Sequence, residues 1–591
     1  MKKKSMMILL SMALIMGACG QKETPEDNPE VTKAVEHTTD TTETVTEATG
    51  TESSPLFSER DKETDYDEEE CIKISLNKNT VSCEEPYVSA ADGTVTITKK
   101  GTYLLSGTWE GSILIDVGKE DKVQLILDGT DISANTTAAV YVKEADKVFL
   151  TLAGGSSNKL KSTGEFVNID DNNIDGTVFS KADLTVNGEG TLEVTSETGH
   201  GIVGKDDLVI TGGTVKVESA GHGLSGKDSV RISGGVFDIT CGKDGIHSGN
   251  DEEEEKGYVY IGGGEFMIAA EDDGIHAENS VVIEAGNINI TKSYEGIEGR
   301  ILEFAGGTVS LTSKDDGLNA TDGSTEGFGF RPMGGGAGVT SASLEDIESS
   351  NILIKISGGQ LNIRADGDGI DSNGCFLMTG GAVYVSGPQN SGNGALDFEG
   401  QGAVTGGTIV AAGAGGMAMN FGSASTQGSI MVSSQASLAA GTVVTLKDSR
   451  GNELVSYAPA GKYNSVVISC PEIKVGETYT VTMGEETRTV TMEELIYGSG
   501  DGFGRGNGGF GNKGGFNWGD FGVPPETEFG TERGDKKGDR DFGGLRPGET
   551  EKFEIPEEIE LPEGMMPPEG MEFPRDISTL QGNVKASSAD A

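Results

Sequence analysis

The sequence predicts an all-β chain built as a parallel β-helix with β-rich caps, and three observations carry that prediction. A short word, acid-glycine-aliphatic, recurs as "GKDGIHSGN" at 242–250, "EDDGIHAEN" at 271–279, "SYEGIEGR" at 293–300, "SKDDGLNA" at 313–320 and "DGDGIDSNG" at 366–374. The glycine of that word falls at Gly201, Gly223, Gly245, Gly274, Gly296, Gly317 and Gly369, in steps of 22, 22, 29, 22, 21 and 52 residues. A second marker recurs in phase, at Gly212-Gly213, Gly234-Gly235, Gly306-Gly307, Gly358-Gly359, Gly380-Gly381 and Gly406-Gly407. A period near 22 with short strands and no helix fits one coil of a parallel β-helix; propeller blades need about 40 residues and leucine-rich repeats a different word.

The elements follow in order. Residues 1–19, "MKKKSMMILLSMALIMGAC", have a basic head, an apolar stretch and small residues before Cys19. That is the pattern of a lipoprotein signal with lipid on Cys19, and an ordinary cleaved signal is the alternative. Residues 20–70 are rich in Thr, Glu and Asp and are expected to form a disordered spacer, since they bury too little apolar surface to offset ordering entropy. Short alternating strands begin at 72, and 72–415 is expected to be the β-helix with an N-terminal β cap. The longer steps hold insertions, "NDEEEEK" at 250–256 and a Gly-rich stretch at 323–339. Residues 416–496 alternate as a C-terminal β cap or small β-domain, and 497–591, rich in Gly, Pro and Glu, reads as a disordered tail.

The chain of 591 residues carries 95 acidic and 45 basic residues, a formal charge of −50. This excludes nucleic acid as a partner and favours cations, or ligands held through cations. No stretch beyond the signal is apolar enough to span a bilayer, so membrane contact through the lipid anchor only is expected, with the protein outside the cytoplasmic membrane and monomeric. Cys71 and Cys83 are spaced to allow a disulfide, while Cys241 and Cys375 sit in apolar strand patterns expected to be core. No cysteine pair has zinc-type spacing.

Stacking the coils about 4.8 Å apart would align three ladders. Ile202, Leu224, Ile246, Ile275, Ile297, Leu318 and Ile370 form an inward one. His200, His222, Asp244, Asp273, Glu295, Asp316 and Asp368 precede the glycines, and Val203, Ser225, His247, His276, Glu298, Asn319 and Asp371 follow the aliphatics. Neighbouring carboxylates ~5 Å apart repel by roughly 3 kcal/mol at an effective dielectric of 20, so such a column needs protons, interleaved Lys or Arg, or a hard cation. Doubled acids and nearby amide and hydroxyl oxygens favour Ca2+, with Asp244, Asp272, Asp273, Glu295, Glu298, Asp315, Asp316, Asn319, Asp366, Asp368 and Asp371 as candidate ligands. An exposed, solvated acid stripe on Asp-Gly turns is the plain alternative. His247, His276 and Arg300 are expected to contact carboxylates or sugar.

The strings "EADKVFLTLAGG", "FSKADLTVNGEGTLEV", "GIVGKDDLVITGGTV", "GLSGKDSVRISGG" and "SGNGALDFEGQGAVTGGTIVAAGAGGMAMNFG", with "DGDGIDSNG", resemble a family of bacterial cell-surface carbohydrate-binding β-helix proteins of cellulolytic clostridia, related to calcium-dependent pectate lyases. The resemblance covers about 72–490 and implies a right-handed parallel β-helix, bound calcium, and recognition of cellulose and acidic plant sugars such as polygalacturonate. The word D-D-G-x-D is similar to the calcium word of one pectate lyase family; Asp371 keeps its last acid, which His276 and Asn319 replace elsewhere. A lyase also needs a base, for which Lys243, Lys292, Lys314 and Arg300 are candidates. Trp109 is the one tryptophan before the tail, and Tyr294 and Phe398 are scattered aromatics. Polysaccharide binding through calcium therefore leads, a calcium-dependent lyase is the alternative, and a structural or adhesive stalk the third.

Overall fold

The computed structural model describes residues 56–498 apart from 168, 169, 171 and 324–342. Cys19 with the signal, the spacer up to 55, the Gly-rich insertion beyond Gly323 and the tail beyond Gly498 lie outside the described residues. The chain divides at 506/507, and all that follows concerns the first unit.

That unit is all-β. Among the described residues thirty-eight strands form one hydrogen-bonded set and four form a separate antiparallel sheet. Most of the large set is parallel and runs in three stacks. One holds the strands that follow the Gly-Gly pairs and their equivalents, Thr191–Ser196, Thr214–Ser219, Val236–Cys241, Glu265–Ala270, Asn287–Ser293, Thr308–Ser313, Gln360–Ala365, Ala382–Ser386 and Thr408–Gly413. A second holds the strands of the acid-Gly-aliphatic word, among them Leu224–Gly226, Ile246–Ser248, Leu318–Ala320 and Ile370–Ser372. The third includes Asp207–Ile210, Ser229–Ile232, Tyr258–Ile261 and Cys375–Met378. No sheet among the described strands closes on itself.

Alternation places the core. In Thr214–Ser219 every second residue is buried. Ile202, Leu224, Ile246, Ile275, Ile297, Leu318 and Ile370 are in successive register. All seven are fully buried, each contributing about 1.5–3 kcal/mol.

Glycine sets how closely the strands approach. A Cβ on Gly245 would come 2.6 Å from the Gly274 carbonyl oxygen and 2.5 Å from Ile268. The second residue of each Gly-Gly pair turns at positive φ, as at Gly213 (+90°) and Gly235 (+120°), a region that favours glycine.

The ends of the parallel set meet antiparallel neighbours. Val88–Ala91 pairs with Thr94–Ile97 near the N-terminus, and Thr408–Gly413 pairs with Tyr463–Ser469 near the C-terminus. Such pairing blunts open edges.

Two expectations need correction. Cys71 and Cys83 are free thiols. Cys71 packs with Leu104, Ile126 and Ala153, while Cys83 lies against the main core, so different apolar clusters hold them apart. The packed chain also begins earlier than the polar composition of 20–70 suggests. A Ser58-capped turn, Glu59–Lys62, carries Asp61 into a buried site. There the carboxylate meets Lys147 at 2.8 Å and accepts the Thr185 hydroxyl at 2.6 Å.

Candidate cation and carbohydrate site

The residue before each motif glycine does a job that no single word reveals. At every such position but Glu295, the side chain accepts the backbone N–H of the equivalent residue one strand further along. The His222 N–H donates to His200 Nδ1 (2.8 Å) and the Asp244 N–H to His222 Nδ1 (3.2 Å). The Asp273 N–H then donates to Asp244 Oδ1 (3.1 Å), Glu295 N–H to Asp273 Oδ1 (3.1 Å), and Asp368 N–H to Asp316 Oδ1 (2.6 Å). The Gly394 N–H continues the chain to Asp368 Oδ1. His and Asp recur here because both are short acceptors that reach a neighbouring amide. Each aspartate spends one oxygen this way and keeps Oδ2.

The neighbouring ladder is in register from Val203 through Ser225, His247, His276, Glu298 and Asn319 to Asp371. It ends on Asp397, opposite Asp371. Among the described residues the two ladders make four groups whose donor atoms lie within 4.8 Å of one another: His222-Asp244-His247, Asp244-Asp273-His276, Asp273-Glu295-Glu298 and Asp316-Asp368-Asp371.

Electrostatics divide the row into two ends. Burial pushes the Asp316 carboxyl up to about 7, that of Asp368 to about 6 and that of Asp371 to about 8, with neighbouring carboxylates adding to the rise. Burial, then Glu298, also drives Glu295 far up, although Asn319 Nδ2 donates to it at 2.6 Å. Among the described residues no Lys or Arg forms an ion pair with Asp273, Glu295, Glu298, Asp316, Asp368 or Asp371. At the other end, burial would raise Asp244, but contacts with His222 and His247 outweigh it and hold the carboxyl well below the usual range. His276 is raised to about 9: burial opposes its charge, and Asp273, Glu298 and Asp244 overcome it.

Of the residues singled out by sequence, Asp244, Asp273, Glu295, Glu298, Asp316, Asp368 and Asp371 come together, with His247 and His276 at one end and Asn319 between two glutamates. Asp272 and Asp366 are exposed and belong to none of the four groups. Asp315 stands beside Asp316, since a Cβ on Gly367 would meet Oδ1 of both at 2.4 and 2.5 Å. Arg300 donates to Asn279 Oδ1 at 2.6 Å. His222 and Asp397 were not singled out as ligands. Asp397 sits in "GALDFEG", which lacks the acid-Gly-aliphatic spelling, so only register reveals it.

Of the candidate bases, Lys292 and Lys314 both pair with Glu271 and Arg300 bonds Asn279. Trp109 is buried and donates to the Gly93 carbonyl, and Phe398 is core. Tyr294, by contrast, is 46% exposed and directly precedes Glu295 in the acid row.

The clustered carboxylates offer donor sets that could hold a metal ion, and comparison with known proteins bears on carbohydrate. Residues 91–331 match the family described as carbohydrate-binding domain-containing protein. A relative of that description from Acetivibrio thermocellus is 42% identical over 151 residues, 25% of this chain and 53% of that protein. The match thus spans about half of the relative's length. A solved structure, of the polysaccharide lyase-like protein from C. thermocellum in its gadolinium derivative, is 37% identical. It covers 42% of this chain and 97% of that chain, with a TM-score of 0.37.

Proposed function

We propose that this protein is a cell-surface polysaccharide-binding protein that uses Ca2+ to hold acidic sugars, with polygalacturonate or pectin as the leading ligand and cellulose as a further one. Its three parallel stacks are the faces of a right-handed parallel β-helix, and Cys19 is the lipid anchor outside the cytoplasmic membrane. The monomer is the working unit.

The observation that carries the reading is the Asp316-Asp368-Asp371 group, three crowded carboxylates whose ionisation burial and one another oppose, and with which no Lys or Arg among the described residues forms an ion pair. A hard divalent ion offsets that repulsion and accepts oxygen ligands from both protein and ligand. A uronate carboxylate bound to the same ion would complete the coordination. Tyr294 offers an exposed ring beside the row on which a sugar face can stack. The relative named for carbohydrate binding supports the ligand class.

The test is calorimetric titration of the full chain with polygalacturonate, with and without Ca2+, beside an absorbance record for unsaturated uronides. Calcium-dependent binding without new absorbance is expected. Rising absorbance would make the protein a lyase, and absence of binding would leave the acid row structural.

A further inference from the structure

We infer that residues 56–63 are a force-bearing clasp: a pull from the chain upstream of Leu56 enters the protein beside Tyr260, deep in the third stack, and is kept off the first strand, Ile72–Lys78.

The outward side of the third stack is in continuous register from Gln124 through Phe149, Thr185, Val209 and Arg231 to Tyr260. Outward side chains meet water unless something covers them, yet Gln124, Phe149, Thr185 and Val209 are all buried. Residues 56–63 supply the cover. They cross the strands and are gripped by side chains along the whole row, which spans about 24 Å at ~4.8 Å per strand. Arg231 donates to the Leu56 carbonyl at 3.0 Å, and the Phe57 ring lies 5.9 Å from that of Tyr260. Thr211 and Asn187 donate to the Asp61 carbonyl at 2.8 and 3.1 Å, and Asn187 donates to the Glu63 carbonyl at 3.1 Å. Arg60 donates to Gln124 at 2.9 Å and lies 4.6 Å over the Phe149 ring. The Asp61 carboxylate is the pin, paired with Lys147 where its own side chain is 4% exposed.

The direction of the chain makes this cover a clasp. It starts beside Tyr260, runs back along the stack past Asp61, and reaches Tyr66 and Cys71, which pack with Leu104, Ile126 and Ala153 just before Ile72. Without the clasp, a pull from upstream would act on Ile72–Lys78 and peel its parallel ladder with Gly101–Glu110. With it, the pull first meets a buried ion pair and the bonds around it. Breaking such a pair strands a buried charge, a strongly unfavourable step. This inference goes beyond the carbohydrate reading; the proposed lipid on Cys19 is one source of such a pull.

The test is single-molecule pulling at constant load, between the N-terminus of the full chain and a peptide tag inserted in the Gly-rich stretch at 323–339. Wild type is expected to open first by a short step, at most the 15 residues 57–71, or about 5 nm at ~3.3–3.6 Å per residue. Steps of a 22-residue coil, about 7–8 nm, follow only afterwards. The lifetime of the short step is expected to fall about tenfold or more in D61N and in F57A, with the coil steps unchanged. Scanning calorimetry establishes that each variant is folded, and the step length in wild type needs no variant. A wild-type chain that opens first by a coil-length step, or an equal short-step lifetime in folded D61N, would overturn the inference. Neither Ca2+ nor sugar enters the test, so its failure leaves the carbohydrate reading standing.

Discussion

The side chain of Asp316 accepts the backbone N–H of Asp368 at 2.6 Å, one strand further along the stack. The bond joins residues 52 apart in sequence and gives the recurring acid a structural duty alongside any ligand. It also crowds carboxylates that repel one another, which makes the metal-free row costly to keep ionised.

Removing one of these charges separates the two duties. Asp371 accepts none of the N–H bonds of that chain, so D371N is expected to raise the melting temperature of the calcium-free protein at pH 8 while lowering Ca2+ affinity by about tenfold, ~1.4 kcal/mol. Scanning calorimetry with and without Ca2+ reads both effects. A lower melting temperature in calcium-free D371N would show that the carboxylate is not under repulsion.

Tyr294 tests the sugar side of the reading, its exposed ring standing beside the acid row while its hydroxyl meets Asp315. Y294F, which keeps the ring, is expected to leave polygalacturonate binding nearly unchanged, and Y294A to weaken it by about 1 kcal/mol, in the range of aromatic contacts. Equal sugar affinity in Y294A and wild type would remove the ring from the site.

Asp61 gives the pH dependence with its sign. Burial opposes ionisation, but Lys147, Thr185 and Ser58 overcome it and lower the carboxyl from 3.8 to about 2. A depressed acid stabilises the fold above its unfolded value, so about 2 kcal/mol is present above pH 4 and lost as pH falls towards 2. D61N is expected to lose that contribution at neutral pH and to flatten the acid limb of stability against pH. An unchanged acid limb would sink the assignment.

Close stacking rests on the motif glycines. G245A places a Cβ against the Gly274 carbonyl and is expected to cost about 1–3 kcal/mol in urea unfolding, as overpacking does. Full stability would mean that the strands separate more readily than their register suggests.

Much of this was readable in the sequence, and what was not has a physical cause. The run from Ile202 to Ile370 announces its register because a buried aliphatic beside an obligatory glycine leaves a fixed word. The acceptor duty of Asp244 or Asp316 leaves none, since its donor lies in the next word and any short acceptor serves. Asp397 escapes notice because its strand drops the word while keeping the register. The packing of Asp61 is hidden in a polar stretch, for one buried carboxylate hardly alters composition.

The central claim, that the acid row holds calcium which holds sugar, is tested most directly by titrating polygalacturonate into wild type and D371N at saturating and zero Ca2+. The account expects calcium-dependent binding in wild type and a loss of about tenfold or more in D371N. Binding of equal strength without Ca2+, or in D371N, would contradict it.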